Sequence, residues 1–130
     1  MSNDCRVDNR SDVAQELARV AERDDEVRAW VSRHKDNDII EAVDAATDGL
    51  LSGWTLGVKD VINTFDLPTE RGSPIYRGNQ PLDDAACVAL AREAGAVVTG
   101  KTVSTEFALF TPNITRNPHD SARTPGGSSS

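Results

Sequence analysis

Gly95-Ala96-Val97-Val98-Thr99-Gly100-Lys101-Thr102 is the stretch on which the fold turns. Letter for letter it satisfies the Walker A phosphate-loop pattern, and it equally satisfies a helix end followed by a core strand. A phosphate loop works when a strand precedes the first glycine and a helix begins at the lysine, so that amide N–H groups surround the phosphates. Here the order is reversed. Asp83 or Asp84 can cap a helix that runs through Ala94 and is closed by Gly95, and Ala96-Val97-Val98-Thr99 is a β-branched run suited to a strand. The strand reading is favoured. It makes Lys101 a surface or sheet-end lysine and argues against nucleotide binding.

Working outward, the chain alternates helices with strands. Residues 1 to 11 are polar and expected to fray. Ser11 or Asp12 can then cap a helix whose apolar positions Val13, Leu17, Val20 and Ala21 recur at helical spacing, broken by Asp24-Asp25. Val27 to Arg33 alternates apolar and polar residues, as a half-buried strand does. Asp38 with Glu41 resembles a capping box, and Ile39, Val43, Ala46 and Leu50 form one stripe on a second helix that Gly49 helps to end. Leu56 to Ile62 reads as a buried strand, and Thr64 to Pro81 as an irregular excursion too long for a turn. A short helix is expected around Thr105 to Leu109, with loop from Thr111 onward. This alternation predicts an α/β architecture with some parallel pairing.

Composition narrows the function. The net charge of −7 disfavours nucleic acid, whose phosphates are bound by excess Lys and Arg. Residues 1–50 hold 13 acidic and 7 basic side chains, a net of −6, whereas residues 51–130 hold 8 and 7, a net of −1. The first part reads as a solvated surface layer and the second as the place for chemistry. Cys5 and Cys87 have neither metal-ligand nor disulfide spacing and read as free thiols in a reducing cytosol. His34 and His119 read as strand-end and loop residues without metal-ligand neighbours. With neither a signal peptide nor an apolar run long enough for a membrane, the expected location is cytoplasmic.

Two segments carry candidate chemistry. Lys59 sits in the apolar run Trp54-Thr55-Leu56-Gly57-Val58-Lys59-Asp60-Val61-Ile62. A lysine serves as a base in its uncharged form, which apolar surroundings or a second cation favour. The competing reading pairs Lys59 with Asp60 at a strand end. The other segment is Thr124-Pro125-Gly126-Gly127-Ser128-Ser129-Ser130, where glycines free the backbone and serines line up hydroxyls. It suits either a polar tail or the floor of a hydrolase site.

Taken together, Gly57-Val58-Lys59-Asp60, the block from Gly95 to Thr102 with Glu106-Phe107-Ala108, Arg116-Asn117-Pro118 and the Thr124–Ser130 segment resemble the amidase signature family. The blocks occur in that family's order, and the resemblance covers roughly residues 24–130. It implies an α/β/α sandwich with a mixed central sheet and hydrolysis of a carboxylic amide by a Ser, cis-Ser, Lys relay with no metal or cofactor. By position Lys59 resembles the catalytic lysine and Ser128 the bridging cis-serine, with Gly126, Gly127 and Ser129 in support. The nucleophilic serine lies beyond Ser130 in that pattern.

The expectation is therefore residues 1–23 as a helical segment and 24–130 as the N-terminal part of an amidase domain, inactive alone. Its substrate would be a small-molecule amide, with no nucleic acid or membrane partner; the oligomeric state, homo-oligomer included, is left open. The A-type component of an amidotransferase that makes Gln-tRNA is the alternative within the family. It is less favoured because Leu109 to Thr115 does not resemble the corresponding segment of that component. A non-catalytic remnant that acts by binding is a further alternative.

Overall fold

The computed structural model describes residues 9–129, with side chains from Ser11 onward. Cys5, most of the expected frayed segment and Ser130 lie outside the described residues. Strand β3, Val97–Thr102, is buried over nearly its whole length. It is the middle of a three-stranded sheet, antiparallel to β1 (Trp30–Arg33) and parallel to β2 (Thr55–Lys59). Successive side chains on a strand point to opposite faces, and two adjacent valines show the consequence. Val97 packs with Val13 and Leu17 of helix α1 (Asn9–Val27) and with Ile39 and Val43 of α2 (Asp36–Asp44). Val98 packs on the other side with Val58 of β2 and Val88 of α3 (Ala86–Glu93). Helices therefore cover both faces of a mixed sheet, the α/β layering expected from the alternation of elements.

Parallel strands need a long crossover to return the chain to the same end of the sheet. Between β2 and β3 this is the irregular excursion, with a single 3-10 turn at Pro74–Tyr76, followed by α3. Gly95, at φ 99°, lets the chain leave α3 and enter β3 almost at once. The phosphate-loop letters thus fall on a helix exit and a strand, and Lys101 is completely buried.

Several local expectations need correction. The α1 helix includes Asn9 to Ser11 and runs through Asp24-Asp25 to Val27. Asp24 does not break it; its carboxylate accepts the N–H of Ala29 at 2.7 Å and ties down the exit from the helix. The strand that follows is correspondingly shorter and begins at Trp30. Helix α2 includes Asp36 and Asp38 in its first turn, where negative charge meets the positive end of the helix dipole. It stops at Asp44, which leaves Leu50 exposed.

At α3 the N-cap is Ala85, with no side-chain cap. The Asp84 carboxylate is engaged elsewhere, accepting the Phe65 N–H at 2.9 Å and lying 3.0 Å from Arg92 Nε. Strand β2 ends at Lys59 instead of Ile62, and β3 extends to Thr102 instead of Thr99. The short helix expected near Thr105 is a 3-10 turn, Glu106–Ala108.

The sheet carries a tryptophan against two glycines. Cβ atoms added at Gly57 and Gly100 would lie 3.2 Å and 2.9 Å from the Trp30 ring, and at Gly100 also 2.5 Å from the Ser32 carbonyl oxygen. The latter contact is with backbone across the β1–β3 ladder and cannot relax by a rotamer change. Gly100→Ala should cost about 1–3 kcal/mol, the usual range for an overpacked site. The check is the denaturant midpoint, which should fall with an unchanged m-value; an unmoved midpoint would mean the ladder yields.

Candidate active site

Both parallel strands deliver their carboxyl ends to the same edge of the sheet, the side where open α/β sheets place ligands. Lys59 is the last residue of β2 and lies in register with Thr102, the last residue of β3. From there the chain runs through Val103, Ser104 and Thr105, all buried. Ser128 comes back to this edge from the far end of the sequence. Its hydroxyl lies 2.7 Å from Lys59 Nζ, which donates to it, and both side chains are half-buried. The peptide bond between Gly127 and Ser128 is cis.

The carbonyl oxygen of Ser128 is held as well. It accepts from the Thr105 N–H at 3.2 Å and lies 3.2 Å from the Ser104 hydroxyl. Of the neighbouring residues, Gly126 has φ 102°, a Cβ at Gly127 would sit 3.4 Å from the Thr105 methyl, and Ser129 is exposed. A groove of about 510 Å³ opens beside Ser128, lined by Leu109, Phe110 and Pro112 together with Gly126 and Gly127. The arrangement can pass a proton between an amine and a hydroxyl and can seat an apolar group next to them.

Asp60 does not pair with Lys59. Its carboxylate is fully buried and accepts the N–H groups of Glu70 at 3.0 Å and Gly72 at 3.2 Å, folding the excursion back against the end of β2. Burial pushes the Asp60 carboxyl above its ordinary value, opposed by those two amides and by the charge of Lys101. Lys101 donates to the Ile62 carbonyl and to the Thr69 hydroxyl, the latter at 2.7 Å. Burial holds its ammonium below the ordinary lysine value, with the Asp60 charge acting the other way.

Sequence reasoning does not reach these roles for Asp60, Lys101, Ser104 and Thr105. The available signal is positional, since all four lie at or just past the carboxyl ends of β2 and β3. His34 Nε2 lies 3.1 Å from Asp66, which also takes Arg92 at 2.7 Å, and His119 is exposed in the loop. Among the described residues no group of three or more His, Cys, Asp or Glu is placed to hold a metal ion, and no helix is long and apolar enough to cross a membrane.

Comparison with known proteins bears on this arrangement. The family model Amidase matches residues 12–130. The chain is 38% identical over 130 aligned residues to the A-type component of the glutamyl-tRNA(Gln) amidotransferase of Rhodopirellula baltica, covering 90% of this chain and 26% of that protein. It resembles the crystal structure of a peptide amidase in complex with the competitive inhibitor chymostatin, with a TM-score of 0.79 and 32% identity over 95% of this chain and 29% of the other. It also resembles the corresponding amidotransferase component of Thermotoga maritima, with a TM-score of 0.74 and 30% identity over 93% and 27% of the two chains. The chain thus spans about a quarter of the length of the curated relative from Rhodopirellula baltica.

The buried amine beneath the site should leave a signature in stability. Between its lowered value in the folded protein and 10.5 in the unfolded chain, Lys101 carries fewer protons folded than unfolded, so stability should rise with pH across that window. Lys101→Met should flatten that rise and, by removing the ammonium that donates to the Thr69 hydroxyl and, alongside that hydroxyl, to the Ile62 carbonyl, cost about 1–3 kcal/mol at neutral pH. Urea unfolding of both proteins from neutral pH up to 10.5 provides the comparison; an equal alkaline rise in the two would exclude Lys101 as its source.

Proposed function

This chain belongs to the amidase family, and we propose that it contributes the lysine and the bridging serine of an amide hydrolase. The observation that carries the reading is the 2.7 Å approach of Lys59 Nζ to Ser128 Oγ at the carboxyl end of a parallel strand pair. As the base of the relay, Lys59 takes the hydroxyl proton of Ser128. Ser128 takes the proton of an attacking serine, whose oxygen bonds to the amide carbon. The same relay, run backwards, delivers a proton to the nitrogen as the C–N bond breaks, releasing ammonia or an amine. Water then enters by the reverse sequence and frees the acid.

By the family's pattern, the attacking serine of this reading is not one of the serines from Met1 to Ser130. Ser129 is exposed next to the bridging residue, and in the family's pattern the nucleophile belongs to a later segment. The substrate is a small-molecule amide, and the apolar lining by Leu109, Phe110 and Pro112 favours an apolar acyl or amine group. The exposed free thiol of Cys87 accords with a reducing, cytoplasmic setting.

A second reading has its own support, since curated relatives at 38% and 44% identity are named as the A-type component of a glutamyl-tRNA(Gln) amidotransferase. In that case the same cleavage would supply ammonia to an acceptor held by partner proteins. The two readings separate by assay. A hydrolase releases ammonia from simple carboxamides unaided, whereas an amidotransferase component depends on its partners and acceptor.

In the protein carrying these residues together with its nucleophile, Lys59→Ala and Ser128→Ala should each lower kcat by about 10²–10⁴-fold, the usual contribution of proton transfer by a positioned group. Circular dichroism and the unfolding midpoint should remain near those of the parent. A near-parental rate in either variant would remove that residue from the relay.

A further inference from the structure

We propose that Ser104 and Thr105 are positioning residues that set the Lys59–Ser128 distance by gripping the main chain of Ser128; the proposal rests on the proton-relay reading above. The two halves of that contact are held very differently. Lys59 belongs to a strand of the buried sheet, in the ladder with β3. Ser128 arrives on a segment whose residues 121–127 are all exposed. What reaches it from the interior is the pair at the end of β3: the Thr105 N–H and the Ser104 hydroxyl, each 3.2 Å from its carbonyl oxygen. Ser104 is fully buried and Thr105 nearly so.

The grip is itself braced. The Ser104 carbonyl accepts from the Asn113 side-chain amide at 2.9 Å, and the Thr105 hydroxyl donates to the Leu109 carbonyl at 2.9 Å. From below, Gly72 is seated so close that a Cβ there would meet the carbonyl oxygens of Ser104 and Thr105 at 2.6 and 3.0 Å. Gly72 is in turn fixed by the buried Asp60 carboxylate. A continuous path therefore runs from the residue after Lys59, through the excursion and the end of β3, to the backbone of Ser128. The Ser104 hydroxyl has one proton and two carbonyl oxygens in range, that of Ser128 and that of Thr105 at 2.8 Å. It serves as an adjustable member of the grip, while the Thr105 N–H is the fixed one.

The test reads the reactivity of Lys59. This chain has three lysines, Lys35, Lys59 and Lys101. In the intact protein, trace acetic anhydride with peptide-level mass spectrometry gives each lysine's acylation rate. Exposed Lys35 reports the reagent, and buried Lys101 reports the fold. Ser128→Ala should speed Lys59 labelling relative to Lys35, because the amine loses its partner. Ser104→Ala should move the same ratio in the same direction by about fivefold, the equivalent of one neutral hydrogen bond, with Lys101 still unlabelled.

If Ser104→Ala exposes Lys101, the comparison passes to Ser104→Cys, which fills the space with a much weaker donor and is read by the same ratio. A parental ratio in a folded Ser104 variant, with Ser128→Ala altered, overturns the positioning role and leaves the relay standing. A parental ratio in Ser128→Ala removes the contact on which both rest.

Discussion

The parallel pairing of β2 with β3 is the constraint from which the rest of the molecule follows. It sets Lys59 beside Thr102 and brings two strand ends to one edge of the sheet. Because β3 is buried on both faces, its register cannot slip without driving Val97 and Val98 out of their separate cores. The position of the amine is thereby tied to the packing of three helices. Moving the Lys59 backbone away from its partner would mean reordering the sheet, so the long side chain starts from a defined origin.

Beneath that edge lie two buried ionisable groups, neither of which lines the groove beside Ser128. Asp60 and Lys101 both lose solvation, and each is offset by main-chain groups of the irregular chain that follows β2: amides of Glu70 and Gly72 for the acid, the carbonyl of Ile62 for the base. Such groups are a poor source of net stability, because the desolvation they suffer is close to what their partners return. What they fix is shape. An irregular stretch has no repeating hydrogen-bond ladder of its own, and buried charges satisfied by specific amides and carbonyls give it a single conformation.

Much of this is legible in the sequence, and the boundary between what is and is not has a physical origin. Val97 and Val98 announce a buried strand, Gly95 a helix exit, and the segment from Gly126 to Ser128 a backbone of unusual freedom. These signals are local. Asp24 and Asp84 mislead because a carboxylate before or within a polar run looks the same whether it caps, breaks or crosslinks. Only the folded backbone decides, by placing the Ala29 N–H at Asp24 just past the helix end and the Phe65 N–H at Asp84 from across the excursion. Lys101 reads as a surface lysine for a similar reason. Its acceptors, Ile62 and Thr69, lie more than thirty residues away and on the irregular chain after β2, with no periodicity to place them. The closeness of Lys59 to Ser128 is equally non-local and comes into view through the resemblance, since spacing alone does not connect the two.

The contrast between the two partners of the central contact also explains where precision has to be supplied. A strand residue in a buried ladder loses its backbone freedom when the domain folds, whatever happens at the site. A residue on an exposed, glycine-rich approach keeps more of that freedom, and each conformation it can visit dilutes the one in which proton transfer occurs. The most direct correction is to hold the backbone of that residue and leave its side chain free to exchange a proton. Hydrogen bonds to the Ser128 carbonyl do this. They restrain the peptide unit, leave Oγ facing Lys59, and draw on groups already made rigid by the end of β3. The same strand that fixes the amine therefore also fixes the hydroxyl, so the two ends of the contact move with one element.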